Sequence, residues 1–387
     1  MSEIPKDNIL SITRPRELHP RAGRIGAEIE ILGKRLVDFT NWDIFALNEN
    51  RDFLKAAQVE IEKSGFGGAS PRTSGGTSAA HASCEKRIAQ FLGVPAALLT
   101  TSKFAALQAL VSEFLADGDI LLVDEQMQLP VTDLIKLCRT PAVPFVAANP
   151  SSLESELSKC RSAKRKFVLM EHISPATGRK QDFSALLPIL QRHAASVILD
   201  ESCAMGMEGL RGAGGSENPL LSPSIFFQFG EISTFIPSSG AFLAGSSEAL
   251  AAILQGARSL YNDIAIPPAC ASAAEAAINM LELSHAARER LRESVAHFRA
   301  GLSSLGFLDA LQSDSPIVSV MVGASSKAEE LSKALIQRGF FTDTAAISTP
   351  YSNVGFLRMV VSVRHTGKML DELMQAISDV YKRLPKD

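Results

Sequence analysis

The stretch GEISTFIPSSGAFLAG, residues 230–245, joins two short apolar runs through a turn rich in serine, proline and threonine. The first run lies at residues 225–229, and the second begins at Gly240 and continues to Ala244. Short apolar runs on both sides of such a turn predict two buried strands joined by a loop. We therefore expect the rest of the chain to be organised around this pair of strands.

Further apolar runs precede this stretch and alternate with segments of helical periodicity. Strands buried on both faces by helices read as continuous apolar runs, which is typical of a parallel sheet. The sequence therefore predicts an α/β fold with a large, doubly wound, mostly parallel sheet of seven strands. The five earlier runs lie at 96–100, 119–123, 141–145, 167–170 and 197–200, and the helices between them at 104–116, 131–138, 150–160 and 181–194.

The composition changes after about residue 263, where Pro267 and Pro268 open a long helical region that reaches about residue 300. Strand-like and helical segments then alternate in an order typical of a smaller, antiparallel α+β domain. We predict an N-terminal arm and small-domain segment at 1–50, a large domain at 51–265 and a small domain at 266–387. The finer elements expected are helices at 51–63, 78–91, 327–338 and 367–383, and strands at 35–40, 317–322 and 357–363.

Charge and cysteine content exclude several classes of protein. The net charge is −3, so there is no basic excess with which to bind nucleic acid. The five cysteines are scattered, without the spacing of a metal site, and are expected to be reduced and mostly buried. The N-terminus lacks an apolar signal region, and no apolar run approaches about 18 residues. We expect a soluble cytoplasmic protein without a metal or a membrane span.

A loop rich in glycine and serine, GFGGASPRTSGGT at residues 65–77, precedes the second predicted helix. Glycines permit close approach of the backbone to a ligand, and Thr77 leads into a helix N-terminus. A plain connection is the alternative. The spacing of Arg72, Gly76, Thr77, His81 and Glu85, with three residues between successive members except the adjacent Gly76 and Thr77, adds specificity to the loop.

Several motifs in order resemble those of the α-oxoamine synthases, a family of fold-type I pyridoxal-phosphate enzymes. The loop spacing is the first of them. The others are the segment 41–47, the triplet Ser102-Lys103-Phe104, the segment Asp200-Glu201-Ser202-Cys203, and Arg358 followed by His365-Thr366. The resemblance extends from about residue 30 to the end of the chain. It implies a fold-type I architecture and the condensation of an amino acid with an acyl thioester.

The resemblance also implies roles for individual residues. Asp200 matches the aspartate that pairs with the pyridine nitrogen of the cofactor, and Arg358 matches the arginine that holds the carboxylate of the amino acid. A helix-capping aspartate and a surface ion pair are the alternatives for these two. The remaining implied contacts are Ser102, Lys103, Phe104, Gln128, Cys203, Ser233 and Thr234 for the cofactor, and Asn41, Arg72, Gly76, Thr77 and His81 for the substrate.

One position departs from the family most strongly. In the family pattern Gly-Thr-x-Ser-Lys-x-x-Gly-x-x-Gly-Gly, the Schiff-base lysine falls at Thr234, whose hydroxyl cannot form an imine. The chain contains no lysine between Lys180 and Lys327, so a shift of register does not supply one. Pyridoxal phosphate is then expected to be held noncovalently or not at all.

Other positions have also lost the chemistry of the family. Gln128 and Cys203 stand where the family has histidines that contact the cofactor, and Ala148 and Pro150 replace a histidine and an aspartate. Lys103 replaces a glycine whose backbone approaches the phosphate. Its side chain is expected to fill the pocket or reach solvent, with phosphate binding as the alternative. His81 is retained, but a histidine on a helix is more often structural.

We interpret the chain as a homologue without catalytic activity of its own, closest in character to the lysine-less subunit of serine palmitoyltransferase. Such a chain forms a heterodimer with a lysine-bearing homologue, or a homodimer, and lends residues such as those of loop 72–77 across the interface. One alternative is an active acyltransferase with a noncovalent cofactor. Another is a regulatory protein that binds an acyl thioester or an amino acid. A pathway such as sphingolipid synthesis is one expectation.

Overall fold

The structure, a computed structural model, describes residues 20–31, 33–127, 140–307, 313–349 and 352–384. Gln128, the predicted helix at 131–138 and Cys138 lie outside the described residues. The chain enters through three short strands, β1 (Arg21–Ala22), β2 (Glu28–Ile31) and β3 (Lys34–Asp38), which pair in that order and antiparallel.

A seven-stranded sheet forms the centre of the large domain, as predicted. Its order is β4-β10-β9-β8-β7-β5-β6, and β5 to β9 run parallel while β10 pairs antiparallel with both neighbours. The central strands β7 and β8 are almost entirely buried because helices cover both faces of the sheet. The strands are β4 (Ala96–Thr100), β5 (Ile120–Asp124), β6 (Ala142–Phe145), β7 (Lys166–Glu171), β8 (Ala195–Asp200), β9 (Ile225–Glu231) and β10 (Ala241–Gly245).

Polar N-caps begin the main helices that cover this sheet. The side chain of the residue before each helix accepts a hydrogen bond from a backbone N–H of the first turn, which satisfies a donor that the helix leaves open. The capped helices are α1 (Arg51–Ser64), α2 (Ala79–Leu92), α3 (Lys103–Glu113), α4 (Pro150–Lys159), α5 (Phe183–Arg192) and α6 (Ser247–Gly256). A single helical turn, α7 (Arg258–Tyr261), follows.

The helical region predicted at 267–300 consists of two helices, α8 (Pro268–Leu283) and α9 (His285–Ser304), which break at Ser284. Buried alanines line α8 and let it approach α1 and α2 closely, so that α8 shares its apolar cluster with them. Helix α9 instead buries apolar residues in the cluster of the small domain. The packing therefore favours a domain boundary near Ser284, and we propose that position in place of residue 265.

Two small sheets and two helices complete the small domain, which has the α+β character expected. Strand β11 (Ile317–Ala324) pairs with β14 (Ser352–Val360), and β14 pairs with β13 (Asp343–Thr349), all antiparallel. Strand β12 (Phe340–Phe341) joins β3 in parallel, so the first segment of the chain belongs with this domain. Helices α10 (Ser325–Gln337) and α11 (Gly367–Tyr381) pack on one another. Strand β13 was not predicted because the longest apolar run in DTAAIST is only three residues.

No helix within the five described ranges is long and apolar enough to cross a membrane. Among the cysteines of those ranges, Cys84 and Cys203 are buried, whereas Cys160 and Cys270 are half-buried. All four carry free thiols.

Candidate functional site

Three neighbouring strands of the large sheet end in acidic residues. Glu171 and Asp200 are paired in register at the ends of β7 and β8, and Glu231 ends the adjacent strand β9. Ligands of open α/β sheets bind at this carboxyl edge. Because Glu171 and Asp200 are almost fully buried, their negative charges require a compensating cation.

Lys103 supplies that cation. It is the first residue of α3, directly after β4, and its Nζ donates a hydrogen bond of 2.9 Å to Oδ2 of Asp200. The side chain of Lys103 is 15% exposed and that of Asp200 is 2% exposed. Burial lowers the pKa of Lys103, but the carboxylates of Asp200 and Glu171 raise it by more, so it lies above its ordinary value. The amine is therefore a protonated ammonium.

A closed ring of hydrogen bonds links Lys103 to Glu231. The other oxygen of Asp200, Oδ1, accepts bonds from the Ser202 hydroxyl at 2.5 Å and the Ser202 backbone N–H at 2.9 Å. The backbone N–H of Glu231 donates to Oγ of Ser202 at 2.9 Å. Oε2 of Glu231 then accepts the backbone N–H of Lys103 at 3.0 Å, which closes the ring. The Glu231 carboxylate thus lies at the N-terminus of α3, where the helix dipole favours an anion.

The other predicted cofactor residues that fall within the described ranges lie around this ring. Ser102 caps α3 by accepting the N–H of Ala105 at 3.1 Å, and Phe104 points outward with 48% exposure. The hydroxyl of Ser233 donates to Oε1 of Glu231 at 3.1 Å, and Thr234 ends the short 3-10 turn that follows β9. Cys203 is buried, and burial holds the pKa of its thiol well above the ordinary value.

Arg358 lies on the small-domain side of the same region, close enough for its charge to act on Cys203. It pairs with Asp343, its cross-strand neighbour in β13, and donates to the carbonyl of Pro175 at 2.9 Å. Its guanidinium carbon lies 5.4 Å from the ring centre of Trp42, and Trp42 contacts Phe235 beside Thr234. The side chain of Asn41 is used locally, since its Oδ1 accepts the N–H of Asp43 at 2.9 Å.

The loop that ends at Thr77 is held by hydrogen bonds among its own residues and with Glu85 of α2. The two terminal nitrogens of Arg72 bind the two carboxylate oxygens of Glu85 at 2.9 and 3.1 Å, and its Nε donates to the Thr77 hydroxyl at 3.0 Å. A side chain at Gly76 would place Cβ 1.9 Å from the carbonyl oxygen of Ser70, so glycine is required there. The predicted spacing therefore builds a closed internal network.

His81 lies inside α2, apart from the acidic strand ends. Its Nδ1 accepts the backbone N–H of Ser78 at 3.0 Å, so Nε2 carries the proton and donates to the carbonyl of Ile266 at 2.8 Å. Burial lowers the pKa of the ring, which is consistent with this neutral tautomer. The arrangement gives His81 a structural function in joining α2 to the segment before α8.

A surface opening lies beside the loop. Arg72, Thr101 and Asp263 contribute to its polar lining, and Leu254 and Leu260 contribute to its apolar lining. The hydroxyl of Thr101 donates to Asp263 at 2.5 Å. This opening is therefore lined by the loop, β4 and the segment after α7, and not by Lys103 or Asp200.

The residues of the predicted cofactor site do not fit pyridoxal phosphate. Oδ2 of Asp200, the atom available for a pyridinium nitrogen, already binds the Lys103 ammonium. The N–H at the start of α3, where the resemblance places the phosphate, already binds the Glu231 carboxylate. A phosphate at that point would meet a like charge in a partly buried setting, where repulsion is strong. Thr234 offers a hydroxyl in place of an amine.

Sequence reasoning missed four residues of this region. Asp343 neutralises Arg358, and the carboxylate of Glu171 acts on the charge of Lys103. Ser202 and Glu231 complete the hydrogen-bonded ring. None of the four was singled out as a site residue. A signal existed for Glu231, since it stands where the family pattern Gly-Thr-x-Ser-Lys has threonine. A signal also existed for Glu171, which closes an apolar run in the same way as Asp200.

Similarity to known proteins agrees with the fold. The chain is 27% identical over 371 residues to an 8-amino-7-oxononanoate synthase of Geobacter sulfurreducens, with 95% of each chain covered. A serine palmitoyltransferase of S. paucimobilis with a bound PLP–myriocin aldimine superposes with a TM-score of 0.88 at 22% identity, covering 94% of this chain and 92% of that one. A Sphingomonas wittichii serine palmitoyltransferase also gives 0.88, at 19% identity and 98% and 97% coverage.

These structural likenesses confirm the predicted fold-type I architecture with its seven-stranded sheet. The family model described as aminotransferase class I and II matches residues 41–377. The chain therefore belongs to the aminotransferase class I and II family and is close to serine palmitoyltransferase and 8-amino-7-oxononanoate synthase, which are α-oxoamine synthases.

Proposed function

We propose that this chain is a non-catalytic α-oxoamine synthase homologue that acts as the partner subunit of a lysine-bearing, serine palmitoyltransferase-like chain. The observation that carries the proposal is the state of the lysine beside Asp200. Lys103 is an ammonium in an ion pair at 2.9 Å, and a protonated amine is not a nucleophile. Thr234 cannot form an imine, so neither position supplies the Schiff base that the family chemistry needs.

The same observation argues against an active enzyme with a noncovalent cofactor. Such an enzyme needs the Asp200 carboxylate free to hold a pyridinium, and it needs a base for proton transfer. Both oxygens of Asp200 already accept hydrogen bonds, and Lys103 would have to lose a proton that two carboxylates hold. We therefore prefer the non-catalytic subunit.

Purified protein tests the loss of catalysis directly. After incubation with pyridoxal phosphate and reduction with borohydride, tryptic peptides of the native chain are expected to carry no pyridoxyl group at Lys103. A Thr234→Lys/Lys103→Gly/Glu231→Thr variant is the matched case, because it restores an amine on the turn after β9 and removes the ammonium and the carboxylate that occupy Asp200 and the start of α3. A pyridoxyl-lysine in the native chain, together with product from an amino acid and an acyl thioester, would show that the chain is an enzyme.

Partnering is tested by expressing the chain, with an affinity tag, from its own operon. We expect a lysine-bearing homologue to elute with it in equal amount. If the tagged chain elutes without any homologue, while the operon expresses one, the partner model is wrong.

A second candidate is a binding protein for a carboxylate ligand, favoured by the placement of Arg358. Its guanidinium contacts the Trp42 ring and pairs with Asp343, whose side chain is 46% exposed and so can be displaced into water. Of the two proposed ligand classes, an acyl thioester and an amino acid, the amino acid is favoured here because it carries the carboxylate that a guanidinium binds. Calorimetric titration of the native chain with L-serine and L-alanine tests this candidate. The candidate predicts binding of an amino acid by the isolated chain, whereas the partner model does not depend on such binding.

A further inference from the structure

Two charges of this chain stand where a cofactor of the family would place its own. The Lys103 ammonium is a cation on Asp200, where the resemblance puts the pyridinium. The Glu231 carboxylate is an anion on the N-terminus of α3, where the resemblance puts the phosphate. The positive charge of Lys103 matches that of the pyridinium, and the negative charge of Glu231 matches that of the phosphate.

The hydrogen-bonded ring makes these two replacements depend on each other. Lys103 contributes its ammonium to Asp200 and its backbone N–H to Glu231, while Ser202 connects the two acidic residues on the other side. The members come from three separate points of the large sheet, after β4, at the end of β8 and at the end of β9. The ring therefore ties together the strand ends that a cofactor would otherwise bridge.

We propose that Lys103 and Glu231 form an internal substitute for pyridoxal phosphate. The substitute excludes the cofactor and, in its absence, holds together the start of α3 and the ends of β8 and β9. The inference rests on the proposed non-catalytic function and deepens it. Loss of the Schiff-base lysine alone would leave a pocket still able to bind the cofactor reversibly. The substitute removes that binding as well, because the ammonium occupies the partner of the pyridinium and the carboxylate repels the phosphate.

The first experiment removes the substitute. In the Lys103→Gly/Glu231→Thr variant, both positions take the residue types of the family pattern, so the acceptor on Asp200 and the N–H donors of α3 become free. Equilibrium dialysis with pyridoxal phosphate is expected to give an affinity about tenfold or more above that of the native chain, which corresponds to about 1.4 kcal/mol. The control is Lys159→Gly/Glu156→Thr, which removes an exposed lysine–glutamate pair of 2.6 Å and should leave binding unchanged.

The second experiment uses the native chain and does not depend on a variant folding. Reductive methylation should modify Lys159, which is 64% exposed, much faster than Lys103, because the Lys103 side chain is only 15% exposed and its ammonium is paired with Asp200. Peptide mass spectrometry measures both sites in one sample. Methylation of Lys103 as fast as Lys159 would overturn the proposal.

The outcomes separate the two proposals. Reversible binding of pyridoxal phosphate by the native chain, as tight as in a cooperatively folded double variant, overturns the internal substitute but leaves the non-catalytic function standing. A borohydride-fixed pyridoxyl group at Lys103 of the native chain, together with product from an amino acid and an acyl thioester, overturns the non-catalytic function itself. A folded double variant with no gain in binding over the native chain also overturns the substitute.

Discussion

Two ion pairs, one in each domain, involve Asp200 and Arg358, for which the resemblance implies ligand contacts, and the pairs differ in how easily they open. Lys103–Asp200 in the large domain is 15% and 2% exposed. Arg358–Asp343 in the small domain is 16% and 46% exposed. The cation is equally covered in both pairs, so the difference lies in the carboxylate.

That difference decides whether a ligand can compete. Asp200 is buried and cannot move into water. A ligand that displaces Lys103 from it therefore either leaves the ammonium covered without its partner or changes the end of strand β8. A ligand carboxylate that displaces Asp343 leaves an aspartate that water solvates, so the exchange is nearly balanced. The half of the site around Lys103 and Asp200 is thus closed, whereas the half around Arg358 and Asp343 can still open.

The strongest test of the closed half is Lys103→Met. Methionine keeps much of the apolar volume but leaves Asp200 buried without its cation, which should lower the free energy of unfolding by about 3–5 kcal/mol. Urea unfolding followed by circular dichroism measures the loss. Lys159→Met, which breaks an exposed ion pair, is the matched control and should cost less than about 1 kcal/mol.

A companion variant separates charge from packing. If the uncompensated charge causes the loss, Lys103→Met/Asp200→Asn should recover most of the stability, because the buried carboxylate is then neutral. Equal destabilisation of the single and double variants would show that the methylene stem of Lys103 matters and that its charge does not.

The two halves should also respond differently to pH. Lys103, with its raised pKa, stays charged through neutral pH, whereas burial lowers the pKa of His365 in the small domain to about 4. The neutral His365 ring stacks on Phe39, and its Nε2 donates to the carbonyl of Asp38 at 3.0 Å. Nδ1 accepts the N–H of Ser362.

The protein should therefore lose stability on acidification, because His365 of the small domain is held in its neutral form. Above pH 6.5 His365 is neutral in both states, and between 6.5 and about 4 only the unfolded chain takes up the proton. The free energy of unfolding should drop over that interval by up to about 3 kcal/mol. Urea unfolding of the native chain and of His365→Gln measures it, and the variant should show the smaller drop. Equal drops would contradict this assignment.

The sequence predicted the frame of the molecule better than the state of its site. All seven strands of the large sheet follow from apolar runs. Burial on both faces leaves this local signal in the inner strands, and the edge strand β6 shows an apolar run although it is partly exposed. The ring from Lys103 to Glu231 leaves no such signal. Its members are 128 residues apart, and only the fold brings the start of α3 to the ends of β8 and β9.

Individual residues show the same limit. Lys103 was expected to fill the pocket or reach solvent, and the sequence could not show that a particular carboxylate holds its ammonium. Arg72 and His81 were singled out as substrate contacts, yet their visible hydrogen bonds go to Glu85 and to the carbonyl of Ile266. Residue type reveals which chemistry a side chain can perform, whereas its hydrogen-bond partners depend on tertiary packing.

The smallest expected effect on stability belongs to the half that can open. Asp343→Asn removes the charge that competes for Arg358 but keeps the shape of the side chain, so the free energy of unfolding should change by less than about 1 kcal/mol. The guanidinium remains held by the carbonyl of Pro175 and the Trp42 ring, and it should now bind a carboxylate ligand more tightly.

Tryptophan fluorescence reports this binding, because Trp42 is the single tryptophan of the chain and lies beside Arg358. Titration with acetate should give a larger saturable change in Asp343→Asn than in the native chain, and Arg358→Met should abolish the change. If acetate affects the native chain and both variants alike, Arg358 is only a structural cation, and the small-domain half is closed in the same way as the half that contains Lys103.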